Sequence, residues 1–135
     1  MYPSELELKD ATLSSTEVCY LGTKIVHEDS SAPIHISVYD NREDFDFRIV
    51  NFPFMDSSIP ATPAYDVYMS QLVRYARICT AKVDFIHRLR SLRLKQQGFK
   101  STLLVKSGKK FFKRHCTTMV RYDATSRELR SAVRN

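Results

Sequence analysis

The chain changes character at Pro63, where the hydrophobic pattern switches from strand-like to helical. Pro53 and Pro60 lie just before this point. Together with Pro63 they prevent a helix across the segment, because proline lacks a backbone N–H and restricts the residue before it. After Pro63 the apolar residues recur at spacings of three and four, which is the period of a helix that buries one face. The sequence therefore predicts an α+β fold, with strands first and helices after them.

Two stretches of the first half predict an antiparallel β-hairpin. Residues 18–26 are rich in β-forming side chains, and residues 34–38 alternate apolar and polar side chains, which is typical of a half-buried strand. The polar residues 27–32 predict a loop of about six residues between these strands. Because two strands alone are marginally stable, we expect the hairpin to pack on the helices or on a part of the protein that is missing from this chain.

The second half predicts a bundle of three or four helices. The first has Pro63 in its opening turn, where proline is well tolerated. Thr80 is expected to cap the second helix, since a hydroxyl can accept a hydrogen bond from a free N–H of the first turn. Gly98 suits the left-handed position that follows a helix, so we expect the second helix to end there.

Ser101 is expected to start a third helix, and the segment Ser126–Arg134 is expected to form a short fourth one, opened by Asp123 or Thr125. Helical spacing predicts which side chains of the third helix point inward. These inner positions are Val105, Phe111, Phe112, Cys116, Met119 and Val120.

The charges divide at the same boundary as the pattern. Residues 1–62 carry four Lys and Arg against eleven Asp and Glu, a net charge of −7, whereas residues 63–135 carry 17 against four, a net charge of +13. We therefore divide the chain into an irregular segment 1–16, a hairpin with an extended connector 17–62, and a basic helical region 63–135. A basic region of this kind predicts a polyanionic partner, most simply nucleic acid.

The third predicted helix has the densest positive charge. Like charges at three- and four-residue spacing are mildly destabilising, so a partner that neutralises them is a reasonable explanation, and a solvated helix face is the alternative. The second helix repeats the pattern with Arg88, Arg90, Arg93 and Lys95. The third-helix candidates for contact with phosphates are Lys109, Lys110, Lys113 and Arg114, with Lys106 on the same face.

The first predicted helix carries a second candidate surface. Ser70, Arg74 and Arg77 share one face, with Gln71 beside them. A hydroxyl, an amide and two guanidinium groups suit the phosphates and sugars of a nucleic-acid backbone. Two alternatives remain open: this is an ordinary exposed face, or the arginines pair with acidic residues of the first half. The acidic residues concerned are Asp40, Glu43, Asp44 and Asp46, which lack the spacing of an EF-hand loop.

Other function classes find no support in the sequence. No apolar run is long enough to span a membrane, the acidic start does not fit a signal peptide, and no P-loop, GxGxxG or Ser-His-Asp pattern is present. The four histidines show no paired metal-ligand spacing. Cys19, Cys79 and Cys116 are too few and too far apart for a disulfide framework, so we expect small core residues in a reducing compartment, nuclear or cytoplasmic.

The middle of the chain resembles a known group of proteins. Residues 39–54 (YDNREDFDFRIVNFPF) and 64–79 (AYDVYMSQLVRYARIC), followed by Asp84-Phe85 and the Gln97-Gly98-Phe99 step, resemble the C-terminal part of reverse transcriptases encoded by animal retroelements. The SQ-L-R-R-C helix is also similar to the segment after the palm in Penelope-like elements. The resemblance covers roughly residues 17–122.

This resemblance implies a piece of a polymerase. Tyr20, Leu21 and Gly22 resemble the hairpin that follows the catalytic palm and holds the primer end, and the basic helices would be the thumb that grips the template–primer duplex. The partners it implies are this duplex and the missing palm and fingers. Such enzymes use two Mg²⁺ ions held by palm aspartates of a Y-x-D-D motif. This chain has no Y-x-D-D, so we expect no catalytic residue, no cofactor and no polymerase activity from it alone.

Two other functions compete with this interpretation. The chain could be a basic helical domain that binds nucleic acid in its own right. Such a domain would bind a recessed primer–template no more tightly than a plain duplex. It could also be a protein-interaction module whose acidic half docks on its own basic half.

At Asp66 the chain departs from the related sequences, which usually have glycine there, and this places an acid beside the first basic face.

Overall fold

A small antiparallel sheet precedes a set of helices. The computed structural model describes residues 12–28, 31–47, 52 and 54–134, and this part of the chain forms four strands and five α-helices. The predicted α+β class, with a hairpin followed by helices, is confirmed. The strands are β1 (Thr12–Ser14), β2 (Glu17–Tyr20), β3 (Thr23–Val26) and β4 (His35–Val38), and they pair in chain order.

The predicted strand over residues 18–26 is in fact two strands. The chain reverses at Leu21 and Gly22, whose φ angles are 48° and 73°, so that Tyr20 pairs with Thr23. Positive φ at both central residues is the requirement of a type I′ hairpin turn. The prediction was wrong because β-forming side chains continue on both sides of the turn and hide the break that Gly22 marks.

The segment 1–16 was predicted to be irregular, but its last part forms β1. Ser15 and Thr16 make a tight turn between β1 and β2, with the hydroxyl oxygens of Ser14 and Thr16 3.1 Å apart. Residues 1–11 lie outside the described residues. The hydroxyl-rich stretch is thus a hairpin turn, and it was misread as the end of an irregular segment.

The five helices follow the predicted order with two breaks that were not predicted, one after Ser91 and one at His115. They are α1 (Ala61–Ile78), α2 (Lys82–Ser91), α3 (Ser101–Arg114), α4 (Cys116–Arg121) and α5 (Ser126–Arg134). Single 3₁₀ turns form at Asn41–Asp44 and Leu94–Gln97. Pro63 lies in the first turn of α1, as predicted. The second helix was expected to end at Gly98, but α2 ends at Ser91, and Gly98, at φ 84°, ends the separate 3₁₀ turn.

Thr80 does not cap α2; Ala81 occupies the N-cap position without a side-chain cap. The Thr80 hydroxyl instead accepts a hydrogen bond from the Ile36 N–H at 3.0 Å, and the Thr80 N–H donates to the Ile36 carbonyl at 2.8 Å. Beside this pair, His35 Nε2 lies 3.0 Å from an Asp84 carboxylate oxygen. The side chain predicted to start a helix therefore fastens β4 to the turn between α1 and α2.

The predicted third helix breaks at His115, whose φ and ψ of −118° and 34° are not helical. The helical period restarts in α4, so two of the predicted inner positions are wrong: Cys116 is exposed and Val120 is 78% exposed. Met119 and Phe111 are buried as predicted. The expectation of three core cysteines holds for Cys79, which is buried.

Helix α1 is the centre of the core. It contacts β4, α2, α3 and α4, and its Tyr68 and Leu72 are completely buried. From α4, the buried Tyr122 hydroxyl donates toward the carbonyl oxygens of Ala76, at 2.8 Å, and Cys79 at the end of α1. The hairpin therefore docks on helices of the same chain, which is one of the two arrangements that its small size required.

Helix α5 begins with a capping box. The Thr125 N–H donates to a Glu128 carboxylate oxygen at 2.7 Å, and the Glu128 N–H donates to the Thr125 hydroxyl at 3.3 Å, which satisfies two free donors of the first turn. Lys82 Nζ of α2 lies 2.9 Å from the other Glu128 oxygen. Of the two predicted openings, Thr125 is the one used. These hydrogen bonds lower the pKa of Glu128 from 4.5 to about 2.

This pKa predicts an acid-dependent contribution to stability. A carboxyl whose pKa is lower in the folded state stabilises the fold above its unfolded pKa, and this contribution disappears as the pH falls from 4.5 to about 2. Glu128→Gln keeps the cap geometry but cannot titrate. We expect the free energy of unfolding, measured in urea between pH 6 and pH 2, to fall more steeply for the natural chain than for Glu128→Gln. Parallel pH curves would refute this role.

Candidate nucleic-acid interface

The α1 surface predicted to contact nucleic acid is present as one exposed face. Ser70, Arg74 and Arg77 are exposed and follow one another at spacings of four and three, which places them on the same side of the helix. The Ser70 hydroxyl donates to the Val67 carbonyl at 2.8 Å, so its lone pairs stay available as acceptors. Gln71, beside them, is partly buried.

The hairpin turn lies against this face. A Cβ atom built on Gly22 would be 2.7 Å from Nη2 of Arg74, so the guanidinium group lies directly over the turn. Gly22 is favoured there because its φ is positive, whereas the flexible end of the exposed Arg74 side chain could shift to admit a Cβ. Tyr20 and Leu21, on the strand end and the turn, are exposed. The structure thus brings the three predicted primer-grip-like residues next to the first predicted helix face.

Three of the four acidic residues considered as partners of Arg74 and Arg77 pair elsewhere: Asp40, Glu43 and Asp44. Asp40 accepts two hydrogen bonds from the side chain of Arg42, which hold the pKa of this carboxyl below its ordinary value. Asp44 accepts a hydrogen bond from the Tyr39 hydroxyl at 2.6 Å, and this bond raises the pKa of Tyr39 to about 12.

Arg88, and not an arginine of α1, forms the ion pairs with the acidic residues of the first half. Its guanidinium group donates two hydrogen bonds to the Glu43 carboxylate and lies 4.0 Å from Asp40. The Arg88 side chain is only 11% exposed. Arg88 is therefore a structural residue that joins α2 to the first 3₁₀ turn. Within the described ranges, neither Arg74 nor Arg77 forms an ion pair.

The α3 surface is a continuous row of cations. The lysine and arginine side chains of this row are all exposed, and they form no ion pair or hydrogen bond with the described part of the chain. The opposite side of α3 is buried through Leu104, Gly108 and Phe111. The exposed cations are Lys106, Lys109, Lys110, Lys113 and Arg114.

The two basic surfaces lie on two helices that pack against each other. Helices α1 and α3 pack through their buried sides, where a Cβ on Gly108 would lie 3.9 Å from the Tyr68 hydroxyl. Arg74 and Lys110 lie on the exposed sides of these helices, away from the contact between Gly108 and Tyr68. The predicted binding residues therefore belong to two helices that pack on each other. Spacing within one helix does not show how the two groups are placed relative to one another.

One feature escaped sequence analysis altogether. A cavity of about 530 Å³ opens beside the first 3₁₀ turn and is lined by Arg90, Arg93 and Gln97 among others. Gln97 is 4% exposed and its side-chain oxygen has no hydrogen-bond partner in the described residues. The sequence could not predict this, because a polar residue between the apolar Leu94 and Phe99 does not by itself indicate a buried side chain.

No family model, curated protein or solved structure gives a significant match to this chain. The resemblance to retroelement reverse transcriptases stays a prediction. In the part that the structure describes, no three His, Cys, Asp or Glu side chains come together as a metal site. The helices described in that part also lack the length and apolar character needed to cross a bilayer.

The different surroundings of two arginines lead to opposite expectations for stability. Arg88→Ala removes hydrogen bonds to a carboxylate and should lower the free energy of unfolding by about 1.5–3 kcal/mol. Arg74→Ala changes an exposed side chain and should stay within about 0.5 kcal/mol of the natural chain. Urea denaturation of both variants tests the assignment. Equal losses would show that Arg74 also has a structural role.

Proposed function

We propose that this chain grips the backbone of a template–primer duplex as the primer-grip-like hairpin and thumb of a retroelement reverse transcriptase. The observation that carries the proposal is the contact between Arg74 and the Gly22 turn. Two segments 50 residues apart, each singled out by the resemblance, form one exposed surface in the fold. The proposal does not extend to catalysis, which would need the Mg²⁺-binding palm as a partner.

The α1 surface suits this role chemically. Arg74 and Arg77 are exposed guanidinium groups without ion pairs in the described residues, so they are free to donate to phosphate oxygens. The exposed Tyr20 and Leu21 supply apolar area beside them. A surface that combines cations with the Gly22 turn can hold a strand end in one orientation. The guanidinium groups would bind the phosphates, and the turn would stop the strand from moving closer to the helix.

The α3 surface favours a second candidate, a basic helical domain that binds nucleic acid in its own right. Its five cations are exposed, and binding a duplex through them does not require a primer end. The third candidate, an acidic half that docks on its own basic half, has support at Arg88, which pairs with Glu43 and Asp40. That docking uses only part of the positive charge, so it is compatible with either nucleic-acid function.

The first test concerns Arg74. Hydrogen bonds to a charged group contribute roughly 1.5–3 kcal/mol, so Arg74→Ala should weaken binding to a recessed primer–template by about tenfold or more. Arg127→Ala, an exposed arginine of α5, is the matched control and should leave the affinity nearly unchanged. The measurement is fluorescence anisotropy with a labelled primer–template and with a plain duplex of equal length.

The outcomes separate the candidates. A larger loss on the primer–template than on the duplex supports the grip. Equal losses on both substrates favour the stand-alone binding domain. No loss on either substrate would remove Arg74 from the interface and refute the proposal.

The α3 surface has its own test. Replacing Lys109, Lys110 and Lys113 with Ala should lower the affinity for all sequences similarly and flatten the plot of log affinity against log salt by up to about 3 units, since each phosphate contact releases a counterion. Binding is measured by anisotropy between 50 and 200 mM salt. An unchanged slope would mean that these lysines do not touch the nucleic acid.

A further inference from the structure

A cavity of about 650 Å³ opens between the connector that precedes α1, the start of α1 and the start of α3. Its wall includes Phe54 and Met55 from the connector, Tyr65 from α1, and Lys100 and Leu103 from the start of α3. Sites for small molecules commonly have volumes of roughly 300–1,000 Å³. None of the cations proposed to contact nucleic acid lines this cavity, so it does not depend on the function proposed for them.

Three contacts hold the walls of the cavity in place. The Met55 N–H donates to the Gln97 carbonyl at 2.9 Å, and a Cβ on Gly98 would lie 3.4 Å from the Met55 Cβ. The Lys100 N–H donates to the Tyr65 hydroxyl oxygen at 2.9 Å. These contacts join the connector to the second 3₁₀ turn, and α1 to the start of α3, so the cavity is formed before any ligand binds.

Apolar side chains form much of the wall. Phe54 is 49% exposed and Leu103 is 40% exposed, so two large apolar side chains remain in contact with water. Met55 and Tyr65 are partly buried against the core, and the Tyr65 ring lies 5.3 Å from the Phe99 ring in an edge-to-face contact. A ligand with an apolar body would cover the exposed parts of this wall, and removing apolar surface from water favours binding.

Two donors for an anion lie at the start of α3. The Tyr65 hydroxyl accepts the hydrogen bond from the Lys100 N–H, and its own proton has no acceptor among the described residues. Lys100 is exposed, and its ammonium group forms no ion pair within the described ranges. The hydroxyl group thus lies beside the residue that carries the ammonium group. A carboxylate can accept hydrogen bonds from both groups.

Asp56 is the one acid among the residues that line the cavity. It is exposed and forms no ion pair with Lys100, so the two charges do not neutralise each other by direct contact. Its negative charge disfavours an anionic group at the connector. A ligand with a single carboxylate and an uncharged apolar body therefore suits the charges of the wall.

We propose that this cavity binds a small carboxylic acid with an apolar body, with the carboxylate on the Tyr65 hydroxyl and the Lys100 ammonium group. The apolar body then lies against Phe54, Met55 and Leu103. Binding needs no movement of the backbone, because the contacts between the connector, α1 and α3 already hold the walls.

The test is calorimetric titration of the full chain with naphthaleneacetate, an aromatic carboxylate, and with naphthaleneacetamide, its neutral counterpart. The acid should bind more tightly, because only the acid has the charge that Lys100 attracts. Lys100→Gln keeps the backbone N–H that binds Tyr65, so this variant should fold. It should weaken binding of the acid about tenfold or more and leave binding of the amide nearly unchanged.

Two further variants separate charge from apolar contact. Asp56→Asn should strengthen binding of the acid, since it removes a repulsive charge. Leu103→Ala should weaken binding of both ligands, because it removes part of the apolar wall. Arg127→Gln, which changes an exposed arginine of α5 outside the cavity, is the control for the net charge of the chain and should change neither affinity.

Binding of the acid that Lys100→Gln weakens and Arg127→Gln does not weaken supports the proposal. Absence of acid binding, equal affinity for acid and amide, or acid binding that Lys100→Gln leaves unchanged overturns it. Equal losses in Lys100→Gln and Arg127→Gln would also overturn it, because they would show attraction to the net charge alone. None of these results bears on the α1 and α3 surfaces, which are tested with duplexes.

Discussion

The structure depends on the junction between β4 and the turn that links α1 to α2. A short sheet cannot persist by itself, and here its last strand is held by paired hydrogen bonds between Ile36 and Thr80. Val38 is buried in the core, and His35 contacts Asp84 next to this junction. The position of the Gly22 turn over Arg74 follows from this docking, because the turn is rigidly connected to β4 through the pairing of β3 and β4.

The separation of charge along the sequence has two different outcomes in the fold. Part of it is neutralised inside the molecule, where Arg88 pairs with Glu43 and Asp40. The other cations are mostly exposed, and they include those of the α1 and α3 surfaces and Arg90 and Arg93 near the end of α2. A net charge of +13 over residues 63–135 therefore overstates the charge available to any one partner.

The helical half was well predicted because a period of three to four residues is a local property of the sequence. The bounds of α5 and the position of Pro63 in α1 were recovered in this way. The errors occurred where the same residue is compatible with two different local structures. Thr80 can cap a helix or bind a strand, and only the tertiary fold decides between these. The ion pairs of Arg88 and the burial of Gln97 depend on residues distant in sequence, so spacing within one segment could not reveal them.

Gly108 illustrates how close helix packing restricts the sequence of a basic helix. Glycine inside a helix costs about 1 kcal/mol relative to alanine, yet a Cβ at this position would lie 3.2 Å from a methyl carbon of Leu129 in α5. Leu129 is itself buried, so it has little room to move. The usual stabilising replacement of a helical glycine by alanine is opposed here by crowding between α3 and α5. The lysine row is thus carried by a helix whose glycine is explained by close packing against α5 and α1, not by helix propensity.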